Sequence, residues 1–64
     1  MIKIVENNKN QVTFEKDDRD ECWFNHDCSN ENLLKQCSRE NDKIKRVQFD
    51  DGEHICSILY VYFE

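Results

Sequence analysis

Ile2 and Ile4, then Val12 and Phe14, alternate with polar residues, and this period of two predicts a pair of strands. The intervening Glu6-Asn7-Asn8-Lys9-Asn10 reads as their turn, because asparagine tolerates positive φ. The same alternation returns in β-branched and aromatic residues over 43–49 and 53–63, joined through Asp51-Gly52. That dipeptide predicts a second hairpin closed by a two-residue type I′ turn. Its last strand would carry Ile55, Ser57, Leu59, Val61 and Phe63 on one face and Cys56, Ile58, Tyr60 and Tyr62 on the other. Both faces are largely apolar, so the strand is either covered on both sides or displays a Tyr60/Tyr62 stripe that a partner covers.

Between the hairpins the period changes. Ser29 is placed to cap a helix over about 30–40 with Glu31 in its first turn and Leu33, Leu34 and Cys37 on its inner face. Upstream, Asp18-Arg19-Asp20-Glu21 resembles a capping box and predicts a short helix over 18–26, with a strand through Cys22–Asn25 as its competitor. These elements describe one α+β domain spanning 1–64, in ββαββ order. A small antiparallel sheet of two hairpins would carry one or two helices on one face. The expected core joins Leu33, Leu34, Cys37, Trp23 and Phe24 to Ile4, Phe14, Val47, Ile55, Leu59 and Val61.

Sixty-four residues leave no room for a second core or a deep catalytic pocket. A chain this small often needs a disulfide, a metal, a second subunit or unusually regular elements. No stretch approaches the roughly 18 apolar residues that span a bilayer, and Met1–Glu6 is too short and too soon charged for a signal peptide. The expectation is therefore a cytoplasmic protein with no membrane partner. Seven asparagines, many lysines and isoleucines and no alanine or proline suggest an AT-rich genome, such as that of a low-GC bacterium or a phage living in one.

The net charge of −5 is ordinary for a soluble domain, but its distribution is not. Residues 15–31 hold Glu15, Asp17, Asp18, Asp20, Glu21, Asp27 and Glu31 against Lys16 and Arg19, and Asp50, Asp51 and Glu53 crowd one turn. Carboxylates in such arrays either keep a surface solvated or stand in for phosphates in a basic groove. The ordered D-x-[DN]-x-[DN]-G series of a calcium loop is missing. Lys43, Lys45 and Arg46 are too few, and too close to carboxylates, for a nucleic-acid backbone stripe.

Cys22, Cys28, Cys37 and Cys56 follow the spacing Cys-x5-Cys-x8-Cys-x18-Cys, without the paired knuckle of common zinc modules. In a reducing compartment free thiols are the default. A zinc site could combine Cys22 and His26, one turn apart on a helix, with His54 and Cys56, on one face of a strand. Glycine-rich phosphate loops, G-x-S-x-G and H-E-x-x-H are absent, and no third group orients a Cys/His nucleophile, so the chain reads as a non-enzyme.

The pattern thus points to an inhibitor-like binding protein of phage or mobile-element origin, similar in size and charge to small anti-restriction and anti-CRISPR proteins. Its partner would be a nucleic-acid-handling host protein. The contact surface would be Asp17, Asp18, Asp20, Glu21, Asp27, Glu31, Asp50, Asp51 and Glu53, with Tyr60 and Tyr62 as apolar anchors. A zinc-stapled interaction module is the alternative, and a homodimer joined through the last strand is a third arrangement.

Overall fold

The computed structural model describes residues 1–64 and forms a four-stranded antiparallel sheet. Its strands are β1 (Ile2–Asn7), β2 (Gln11–Lys16), β3 (Ile44–Phe49) and β4 (Ile58–Phe63), in the spatial order β1-β2-β4-β3. Each hairpin predicted from the alternation is present. The β2 and β4 strands meet in the middle, with Val12 opposite Val61 and Phe14 opposite Leu59. The crossover from β2 to β3 carries a short 3₁₀ turn (Trp23–His26) and helix α1 (Asn30–Gln36).

One sheet face holds the core. Val12, Phe14, Leu59, Val61 and Phe63 pack with Trp23, Leu33 and Cys37 in a single buried cluster. Large side chains buried this way contribute about 1.5–3 kcal/mol each. The opposite face has no covering element: Tyr60 and Tyr62 stack there with ring centroids 6.4 Å apart, and the Arg46 guanidinium lies 4.4 Å from the Tyr62 ring. Both outer strands carry an extra residue in their pairing, Val5 in β1 and Lys45 in β3. Ile4 is exposed at the β1 edge and Ile55 in the loop before β4, so neither joins the core as expected.

The helix is shorter than its predicted span and ends for a local reason. Ser29 Oγ accepts from the Asn32 amide at 3.2 Å, as a cap should. After Cys37, Ser38 turns left-handed (φ 58°). Arg39 N then donates to Leu34 O and Ser38 N to Lys35 O, which closes a Schellman motif without glycine. Arg39 next reaches back across the molecule. It donates to the Asn8 and Lys9 carbonyls at 2.7 Å, pairs with Asp42 at 2.6 Å and stacks 3.7 Å from the Phe63 ring.

Two expectations need correction. Residues 18–26 form neither a full helix nor a strand: Asp18 Oδ1 accepts from the Asp20 amide instead of capping a helix, and Phe24, Asn25 and His26 have φ of 49°, 55° and 73°. The β3–β4 connection is not a two-residue turn either. Gly52 does adopt φ 72° and its amide donates to Phe49 O, but the chain stays irregular until Ile58, where Asp50 N meets Ile58 O. Cys56 is consequently inside the protein, and the strand faces expected for Ile55 and Cys56 do not exist.

Candidate functional site

Residues 17–29 and 50–57, the two irregular segments, lie against each other at one end of the sheet, and three contacts join them. The first is Lys16, whose residue is only 5% exposed because its ammonium turns inward. It donates to the backbone carbonyls of Asp18 and Glu21, and at 3.4 Å to that of Ile55, with the Trp23 ring centroid 5.4 Å away. A buried charge is tolerated when its donors are satisfied, so this lysine organises backbone rather than neutralising a carboxylate. The second is Arg19, which reaches Asp51 at 2.8 Å and Glu53 at 2.5 Å. Asp51 foremost, then Glu53, hold its guanidinium more firmly protonated than usual.

These two side chains are the only cations within the acidic segments. Residues 15–31 and 50–53 carry ten carboxylates against Lys16 and Arg19, a balance of −8, whereas the other residues sum to +3. Arg19 makes one surface of what were two clusters in the sequence. Within it, the Asp20, Glu21 and Glu31 carboxylates form no ion pair, and Asp17 sits 3.8 Å from the Met1 amino group. Asp27 is occupied locally, accepting from Ser29 Oγ at 2.8 Å to brace the helix start. Asp50 accepts from Tyr60 Oη at 3.2 Å, which raises the phenol's pKa and links the acidic turn to the tyrosine face. Asp18, Glu21 and Asp27 also rim an open cleft of about 760 Å³ whose apolar lining includes Ile2, Phe14 and Phe24.

The third contact is sulfur and imidazole. Cys22 Sγ lies 3.3 Å from His54 Nδ1 and 3.4 Å from Nε2, and Cys28 Sγ lies 3.0 Å from Nε2. All three donor atoms fall within 4.8 Å of one another. The left-handed run Phe24–His26 folds the chain back so that Cys28 Sγ reaches the Trp23 carbonyl at 3.1 Å, the same oxygen that the adjacent Cys22 Sγ meets at 3.6 Å. The Phe49 ring sets the His54 plane, edge to face at 5.3 Å. Burial, then the neighbouring Cys22 and Asp27, push the Cys28 thiol up to about 12.

Only part of the expected zinc set converges. Cys22 and His54 meet, but His26 and Cys56 lie outside the group, and Cys28 takes a place that sequence spacing did not assign. His26 is exposed at the end of the left-handed turn, so the one-helical-turn relation to Cys22 never arises. Cys56 is fully buried and its thiol donates to Ile58 O at 2.8 Å. All four cysteines are free, and Cys37 is buried with its thiol directed at Leu33 O, burial raising its pKa. Lys16 and Arg19 were also missed as organising residues; the signal available was their position as the lone cations among seven acids.

No known protein family, curated protein or solved structure matches the chain. No helix is long and apolar enough to cross a membrane.

Proposed function

We propose that this chain is a small acidic, non-enzymatic binding protein that occludes a basic nucleic-acid-binding surface of a host protein, as an inhibitor encoded by a phage or mobile element would. The observation that carries the reading is the Arg19 bridge to Asp51 and Glu53, which fuses the 15–31 and 50–53 carboxylates into one surface. Lys16 and Arg19 offset only two of the ten carboxylate charges, so that surface keeps most of its negative field, and such a field attracts binders of phosphate while repelling nucleic acid itself. Tyr60 and Tyr62 supply apolar area on the adjoining sheet face, where Asp50 and Arg46 flank them.

The test is capture of a nucleic-acid-handling protein from a bacterial lysate, followed by salt titration and competition with DNA. Binding should weaken steeply with salt, be displaced by DNA, and be lost when Asp17, Asp18, Asp20 and Glu21 are reversed to lysine. Capture indifferent to salt and to charge reversal would end the mimicry reading. A zinc-stapled structural or regulatory module is the second reading, and the convergence of Cys22, Cys28 and His54 supports it.

A further inference from the structure

We infer that Cys22, Cys28 and His54 form a zinc site whose fourth position opens to solvent, and that the ion ties the two irregular segments together. This rests on the second reading above and not on the acidic surface, so either can fail alone.

The donor chemistry comes first. Two thiolates and an imidazole are a set that zinc accepts readily, and three protein donors plus a water complete its tetrahedron. Tetrahedral bonds of about 2.3 Å to sulfur and about 2.0–2.1 Å to nitrogen place neighbouring donors about 3.5–3.8 Å apart. The sulfurs lie 3.0 Å and 3.4 Å from His54 Nε2, so a few tenths of an ångström of outward movement accommodates an ion. Such movement is available: both cysteines are half-buried and His54 is exposed, which also leaves the fourth position facing water.

Backbone geometry argues in the same direction. Three consecutive non-glycine residues, Phe24, Asn25 and His26, hold positive φ, at about 1–2 kcal/mol for an ordinary L-residue such as Phe24 and less for Asn25 and His26. The turn they make brings Cys28 beside Cys22. Trp23 and Phe24 pack against the core and help to fix it. A disulfide between Cys22 and Cys28 would consume both thiols and leave unexplained why His54, from the far segment, brings Nε2 to both sulfurs. An ion accounts for all three side chains.

The experiment titrates the reduced 64-residue chain with zinc against a chromophoric chelator, using cobalt(II) to count thiolate ligands by charge-transfer absorbance. One ion per chain and two coordinated thiolates are expected. Cys28→Ser and His54→Gln should each weaken binding at least about 100-fold, while His26→Gln binds like the parent. Hydrogen exchange should slow in both 17–29 and 50–57 on zinc addition. The inference is overturned by absence of stoichiometric binding at micromolar zinc, by binding that survives Cys28→Ser or depends on His26, or by protection confined to one segment. His54→Gln alters an exposed side chain, so it carries the test should Cys28→Ser unfold.

Discussion

The sheet and the irregular end are held together by different physics. The strands share a hydrogen-bonded ladder, and β2 and β4 share one apolar cluster, so the residues of these inner strands are supported by many neighbours. Residues 17–29 and 50–57 have no ladder and depend on a few individual side chains: Lys16, Arg19, Trp23 and the Cys/His group. Stability therefore resides mainly in the sheet and chemistry in the segments. Segments held by few contacts open first and respond most to a ligand or partner.

Breaking the sheet should produce the largest effect. Leu59→Ala, in the inner strand β4, removes a fully buried side chain and should cost about 2–5 kcal/mol, melting both regions together in denaturant unfolding. Lys16→Met separates them. Stranding the Asp18, Glu21 and Ile55 carbonyls should cost about 3 kcal/mol, with amide exchange rising in the segments well before the sheet. If the sheet amides exchanged equally fast, the two regions would be a single cooperative unit. Arg19→Ala should change stability by no more than about 1 kcal/mol, since its ion pairs are solvent-exposed. Its measurable effect should be on the exchange of 50–53.

The smallest effect concerns Tyr60. Its phenol donates to Asp50, so its pKa in the folded protein lies above the ordinary value of 10.0. A raised folded pKa favours the protonated form. The contribution is thus fully present below the unfolded pKa and is lost as pH rises through the folded one. Asp50→Asn should lower the pH at which one tyrosine ionises, read by phenolate absorbance. An unchanged titration would detach the acidic turn from the tyrosine face.

What could be read from the sequence divides along the same line. Alternation at Val12, Phe14, Leu59, Val61 and Phe63 revealed the strands and their inner face, and Ser29 revealed the helix start, because repetition and capping are local rules. The segments obey no such rule. In Trp23-Phe24-Asn25-His26 only Asn25 and His26 belong to types that favour positive φ, and without glycine that signal does not specify a three-residue left-handed run, whose strain is offset by tertiary packing. The proposed pairing of Cys22 with His26 assumed helical spacing, and that of His54 with Cys56 assumed strand spacing. With neither element formed, Cys28 entered the group and Cys56 turned into the core.

The extra residues at Val5 and Lys45 have a consequence for the molecule's behaviour in crowded solution. Strands β1 and β3 are the sheet's two outer edges, and a flat outer edge templates stacking of chain upon chain into fibres. A bulge on each interrupts the regular spacing of amides and carbonyls that an incoming strand would need, while Lys3, Lys43 and Lys45 add charge along the same borders. Deleting Val5 would straighten one border, and the shortened chain should then seed amyloid-like filaments at concentrations where the parent remains dispersed.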